Sequence, residues 1–427
     1  MPDTSRALRW LLFAAALTWH LLNVVAPPKI EGGPAKDTAG RDYASYHYAS
    51  LVAWAGGDPY DKLALDARAT TDGTRTQVHP FFYPPPFLAA VAWAPRVDLD
   101  TAYWVWYAVN EVALLVAALA LLRWWLPLGP AVGPVLFGLI AITSGVAYGH
   151  VMGQANALVL ALLALGLWAA ARGRDAPAGV ALGLACMFKM SPALFVWVWL
   201  VQRRWTAVSA AIATAAIASV LVLPLVGLSE QIRFYTAILP GFGTGDYNGL
   251  EIKVDLFANH SMPNVFAQIW PDGTGSRLSG TAALASQAFS GLVLLGTAAL
   301  FRRRVDEPFA QAAQATSIAT ATLFVPVYTY EHHLLWALPG LTVAIAAVVR
   351  GRLGVGWAVP LGLATAAIAF PVAPLKALAT GPLAGSLPAA LAVQEAKFGA
   401  LWVIFAATTW VAISSTSTGG RGRAADR

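Results

Sequence analysis

The chain has 427 residues, of which 58% are hydrophobic and only 12% charged. A soluble globular chain carries about 25% charged residues. With a mean hydropathy of +0.60, the composition therefore excludes an ordinary soluble protein and indicates an all-α polytopic membrane protein. The net charge of +6 is spread as small basic clusters between apolar runs, a pattern of membrane topology and not of a nucleic-acid-binding face.

The N-terminal stretch "MPDTSRALRWLLFAAALTWHLLNVV" has two arginines and a long apolar run. It lacks a small-x-small cleavage site and reads as a retained first span over residues 9–26. Further spans of about 20 apolar residues are expected at 101–124, 130–149, 155–171, 205–225, 281–301, 308–327, 331–349, 354–372 and 397–415. Segment 176–202 is long for one span and short for two, and Ser191-Pro192 breaks it near the middle. Basic residues at Arg172/Arg174 and Arg203/Arg204 flank it. If positive means inside, both flanks lie on the cytoplasmic side and the segment is a broken hairpin with Lys189 at its tip. The expectation is then a single domain over 1–427 with about 12 membrane segments, and a basic cytoplasmic tail at 420–427. Three outer loops are long, 27–100, 226–280 and 373–396, so polar chemistry gathers on the non-cytoplasmic side. The single cysteine, Cys186, permits neither an intrachain disulfide nor a cysteine metal site.

In the first outer loop, residues 42–55 read as an amphipathic helix whose Tyr43, Tyr46 and Tyr48 suit a membrane boundary. Asp42 starts it, as an N-cap, a catalytic base, or both. His79 follows in the same loop, and "FFYPPPF", which carries Tyr83, reads as a stiff element running into the membrane. Gln154 and Asn156 open a span, where they can pair with polar groups on neighbouring helices. Lys189 sits deep in apolar sequence and calls for an anion such as phosphate. Asn259 and His260 add polar groups on the outer side.

"YTYEHHLLWALPGL" then puts Glu331, His332 and His333 in a row at an outer helix end. Three readings are open: a metal site, polar caps, or a sugar- or phosphate-binding pair. Adjacent residues on a helix point about 100° apart, which argues against one shared ion. No GxGxxG nucleotide motif is present, which argues against a soluble nucleotide-sugar donor.

The ordered set "GGDPYD", "FFYPPPF", "GQANALVLALLALGLWAAARGRDAPAGVALGLACMFKMSPALF" and "VYTYEHHLLWALP" resembles the polyprenyl-phosphate-mannose-dependent glycosyltransferase family of GT-C type, which includes the mycobacterial phosphatidylinositol mannoside mannosyltransferases. In one stretch, "YTYEHH" stands where the family more often has a Ser-Pro-x-Ser-Trp run. The resemblance implies a GT-C-type helical bundle in a bacterial-type inner membrane with its site on the external face. It implies inverting transfer of a hexose, mannose by analogy, from a polyprenyl-phosphate donor to a lipid-linked or cell-envelope glycan acceptor. Asp42 would be the general base. Lys189, His332, His333, Tyr83, Gln154 and Asn156 would bind donor phosphate and sugar. Tyr43, Tyr46, His79, Asn259, His260 and Glu331 would contact the acceptor or order the loops. The leaving group is already a phosphate, so no protein acid is required; no cofactor is expected, and no metal-ligand set stands out in the sequence. The alternative is a transporter or flippase of a lipid-linked sugar. Transporters concentrate ionisable residues at the midplane, whereas here most gather at the outer ends, with Glu111 and Lys189 the exceptions.

Overall fold

The structure, a computed structural model, describes residues 40–74, 78–250, 252–271 and 276–418 and scattered positions between 11 and 22. Most of the expected first span, the start of the first outer loop and the basic tail lie outside the described residues. Among the described residues every regular element is helical, and β-pairing is limited to one isolated bridge between Asn259 and Tyr330.

In chain order, the first outer loop holds α1 (Arg41–Trp54), α2 (Lys62–Thr71) and α3 (Phe87–Val91). The membrane-type helices begin with α4 (Leu99–Trp125), α5 (Val132–Ile142), α6 (Ser144–Met152), α7 (Asn156–Ala171), α8 (Asp175–Phe188), α9 (Ala193–Val201) and α10 (Trp205–Leu221). The second outer loop holds α11 (Leu228–Arg233) and α12 (Met262–Ile269). Then come α13 (Gly280–Leu300), α14 (Pro308–Ala321), a 3-10 turn Glu331–Ala337 leading into α15 (Leu338–Val349), α16 (Ala358–Ala369), α17 (Val372–Thr380), α18 (Leu387–Gln394) and α19 (Ala396–Thr418).

Among the described residues, four stretches are long and apolar enough to cross a membrane: Leu99–Leu128, Gly280–Leu300, Glu331–Val349 and Ala396–Ser414. The number rises to six if the bent pairs α5–α6 (54°) and the α16–α17 pair (98°) each count as one span. This is fewer than the dozen segments expected from the apolar runs. An apolar run need not be one continuous helix. Thr143 takes an extended conformation and splits the 130–149 run. In the 308–327 run, α14 stops at Ala321, with Pro326 beyond it. Helices α7, α8 and α10 are 16, 14 and 17 residues long, below the about 20 that a perpendicular crossing needs.

The basic turns converge at one end of the bundle. Arg204 pairs with Asp175, Arg304 lies 3.9 Å from the same carboxylate, Arg352 pairs with Glu307 at 3.2 Å, and Arg350 donates to the Leu128 carbonyl at 2.9 Å. Both ends of the α8–α9 hairpin are therefore on that side, and its break at Lys189 is at the other. The outer loops meet over that opposite end. Asn248 donates to the carbonyls of Tyr60 and Phe81, each at 2.9 Å, and Arg233 pairs with Asp58.

Helix α1 differs from its expected form in two ways. Its N-cap is Gly40, with no side-chain cap, so Asp42 lies inside the first turn and does not cap it. Tyr43, Tyr46 and Tyr48 are fully buried, so α1 is a packed element and not an interfacial one. The reason is aromatic partnering: Tyr43 stacks on Trp106 of α4 at 5.8 Å and Tyr46 meets Tyr83 and Phe87 edge-on at 4.8 Å each. Rings with neighbours of this kind gain more inside than at a headgroup boundary.

Candidate active site

A cavity of about 1000 Å³ lies beneath the two outer loops. Its polar wall carries Arg41, Asp42, His79, Tyr83, Gln154, Lys189, His332 and His333; its apolar arm runs between α9 and α13 past Leu194, Trp197, Leu294 and Leu295. Residues from the first outer loop, the α6–α7 turn, the hairpin tip and the 3-10 turn thus share one space.

The turn between α6 and α7 brings the polar groups together. Gly153 sits at φ 72° at the end of α6, a conformation that favours glycine. A Cβ there would also fall 2.5 Å from the Cβ of Tyr43, so only glycine lets α1 approach this closely. The next residue, Gln154, donates through Nε2 to Asp42 Oδ2 at 2.5 Å. Its Oε1 accepts from the Tyr83 hydroxyl at 3.0 Å and from Lys189 Nζ at 3.4 Å. These donors fix the orientation of the amide: its oxygen faces the phenol and ammonium, its nitrogen the carboxylate.

Lys189 lies where α8 ends, in extended backbone. Its main hydrogen bond goes to Asn156 Oδ1 at 2.8 Å, and the ammonium also lies over the rings of Tyr83 and Trp336, at 5.9 and 5.8 Å. An ammonium has three donors; two reach amide oxygens of Gln154 and Asn156, which carry no charge to offset its own. Asn156 in turn donates to the His332 carbonyl at 2.8 Å. The imidazoles of His332 and His333 are 4.3 Å apart and meet edge-on. His333 Nδ1 accepts from the Tyr330 backbone N–H at 3.0 Å, so a neutral His333 carries its proton on Nε2.

Burial pushes the Asp42 carboxyl up from its ordinary range. His79, the Gln154 hydrogen bond, Lys189 and Arg41 pull it back. Burial lowers His79, and the Asp42 charge opposes that. A carboxylate held partly desolvated beside a hydrogen-bonding amide is a stronger base than one in water.

The other residues singled out in the sequence lie elsewhere. Asn156 stands one layer behind the wall. Tyr43 is packed against α4, and Tyr46 donates to the Tyr83 hydroxyl at 2.6 Å. Asn259 staples the second outer loop, donating to the carbonyls of Val254 and Val327 at 2.9 and 3.0 Å. His260 and Glu331 face each other at 2.7 Å in the interior. None of these six lines the cavity. Conversely, Arg41, Tyr148, Tyr330 and Trp336 line it without having stood out in the sequence. Among the described residues, Arg41 Nε is buried without a hydrogen-bond partner; its position next to Asp42 is the signal that would have found it. Among the described residues, no three His, Cys, Asp or Glu side chains gather to hold a metal.

A helical bundle with membrane-length apolar helices and an acid- and cation-lined cavity at one end defines a multi-pass membrane protein with a large internal cavity. Residues 81–326, more than half the chain, match the model of Glycosyltransferase family 87. The chain belongs to that family. It is 29% identical over 226 residues to an alpha-(1->3)-arabinofuranosyltransferase of Corynebacterium glutamicum, covering 52% of this chain and 50% of that protein. It is 30% identical over 172 residues to proteins of the same name from two Mycobacterium tuberculosis strains, covering 39% of each partner. The aligned part thus spans half or less of these relatives.

Proposed function

We propose that the protein moves a sugar from a polyprenyl-phosphate donor to a glycan or glycolipid hydroxyl, and that the sugar is arabinofuranose. The observation that carries this is the shared cavity: the Asp42 carboxylate, the Lys189 ammonium and the two imidazoles line one space that continues into an apolar arm. In this reading Asp42 takes the proton from the acceptor hydroxyl as its oxygen attacks the anomeric carbon. The bond from that carbon to the phosphate oxygen breaks, and the polyprenyl phosphate leaves with the electron pair. One base and one displacement invert the anomeric centre. Lys189 and the Nε2–H of His333 stabilise charge on the phosphate, as preorganised donors do at a developing anion. The apolar arm suits the isoprenoid chain. No protein acid is needed, because the leaving group is already a phosphate.

The names of the relatives support arabinofuranose over the mannose that the motif resemblance implied. The basic turns support an external site: they mark the cytoplasmic end, and the cavity is at the opposite end. The test is transfer by the purified protein in lipid nanodiscs, with arabinosyl and mannosyl polyprenyl phosphates offered separately. The arabinosyl donor should be used, and Asp42→Asn should lower the rate by about 10²–10⁴-fold. Full activity in that variant would remove Asp42 as the base, and preference for the mannosyl donor would overturn the sugar assignment.

A further inference from the structure

The residue in front of the histidine pair has no place in that chemistry. Glu331 is buried, and its carboxylate is the meeting point of four separate parts of the chain. Oε2 accepts from Lys397 Nζ at 2.8 Å and from Ser144 Oγ at 2.9 Å, and Oε1 faces His260 Nε2 at 2.7 Å. The Lys397 side chain is 0% exposed and also donates to the Phe370 carbonyl at 2.5 Å. Charges buried in an apolar interior are expensive, and apolar residues of similar volume are often at least as stabilising. The cluster therefore needs a reason other than stability.

The reason lies in what Glu331 holds in register. The N-terminal end of α6 is pressed against it: a Cβ on Gly145 would fall 2.3 Å from the Glu331 carbonyl oxygen, and Ser144 reaches its carboxylate. One turn further along α6, the Tyr148 ring lies parallel to His332, 5° off and 6.1 Å away. From the other side, Asn156 holds both the His332 carbonyl and the Lys189 ammonium. A slip of Glu331 along α6 would carry His332, His333 and, through Asn156, Lys189 with it.

We infer that Lys397, acting through Glu331, is a positioning residue for the sugar-phosphate site. The inference rests on the proposed role of His332 and His333 as phosphate ligands. Lys397 does not line the cavity, and it lies beyond the family-matched segment, which ends at 326. The last long helix thereby reaches the reaction chamber without touching substrate.

The test uses the full chain in nanodiscs and the paired variant Glu331→Gln/Lys397→Met, which removes both charges while keeping side-chain length. Farnesyl phosphate is the binding probe, read by tryptophan fluorescence, alongside thermal unfolding and steady-state kinetics. The paired variant should unfold near the wild-type temperature. Its Kd for farnesyl phosphate and its donor KM should rise about 10-fold or more, the scale seen when groups that orient direct ligands are lost. Its acceptor KM should stay unchanged. Wild-type Kd and donor KM in a folded paired variant overturn the inference. If the pair does not fold, Ser144→Ala decides: it removes one bond to the same oxygen and should raise the Kd by about 2–4-fold, and an unchanged Kd overturns the inference. A wild-type protein that neither binds farnesyl phosphate nor transfers sugar would instead sink the proposed function itself.

Discussion

Both ends of the bundle collect charged side chains, in opposite styles. At the basic end the partners stand largely in water: Arg352 and Glu307 are 46% and 38% exposed. Around and behind the cavity they are enclosed: Lys397 and Glu331 are 0% and 5% exposed, and among the described residues Lys189 is hydrogen-bonded to amide oxygens. Exposed pairs are screened and contribute about 0–1 kcal/mol. Enclosed ones interact far more strongly and are expensive to keep. On the proposed function, the basic end serves orientation in the membrane and the enclosed groups serve chemistry. Substitutions at the two ends should separate cleanly, with loss of rate at one and only small changes in stability at the other.

A large loss of rate is expected at Lys189. Replacing it with Met keeps most of the stem and removes the charge. If the ammonium meets the departing phosphate, kcat should fall by about 10²–10³-fold, the usual loss when a preorganised charge-stabilising group is removed. Sugar transfer at saturating donor measures it. An unchanged kcat would shift that duty to the histidines and blur the contrast between the ends.

Asp42 sharpens the contrast through pH. Burial raises its pKa above the ordinary 3.8. A carboxyl raised on folding adds stability that is complete below the unfolded value and is lost as pH rises through the folded value. At neutral pH the ionised group therefore burdens the fold. Asp42→Asn should raise the thermal midpoint by about 1–2 °C while abolishing transfer, the trade-off expected of a functional charge. In the wild type, kcat/KM should fall on the acid side with an inflection above that of a free carboxylate. Differential scanning fluorimetry and a pH–rate profile read the two effects; a lower midpoint in the variant would contradict the sign.

The polar lining of the cavity was more readable in the sequence than the architecture. Asp42, Lys189 and His332/His333 stand out because an ionisable group beside long apolar runs is expensive and demands a partner. Their meeting in one cavity comes from the turn at Gly153 and the break after Phe188, both visible as Gly and Ser-Pro punctuation. Span counting did less well, because an apolar run shows where the chain avoids water and not where its helix bends. Lys397 was missed because a lysine at the start of an apolar helix looks like an ordinary boundary residue. Its partner Glu331 is 66 positions away, and no local pattern links them. Tyr43 and Tyr46 misled for a related reason: aromatic residues suit an interface and a core equally, and only their neighbours decide.

A middle-sized effect is expected at Asp175, the best-enclosed acid of the basic end. It pairs with Arg204, whose side chain is 11% exposed and lies 4.9 Å over the Trp199 ring. Asp175→Asn leaves that guanidinium without its carboxylate. The loss should be about 1–3 kcal/mol, between the exposed and buried limits, and kinetic constants should not move. A changed donor KM would show that the basic end reaches the cavity, against the division drawn here.

The smallest effect is expected at Arg352, where the comparison is most easily broken. Its guanidinium has Glu307 at 3.2 Å and lies 5.7 Å from the Phe309 ring, so it has two partners and on a contact list would look important. Both members of the ion pair are open to water, and a charge hydrated in the unfolded chain gains little by moving to a hydrated pair. The Phe309 ring is buried, but the guanidinium over it is half exposed, so the contact contributes about 0.5–1 kcal/mol at most. Arg352→Ala should therefore lower stability by less than about 1 kcal/mol, an effect that raising the salt concentration shrinks further. Transfer should be unaltered. A loss as large as that at Asp175 would mean that the turn at 350–352 is enclosed by lipid or protein in the membrane, and exposure would then no longer tell the two ends apart.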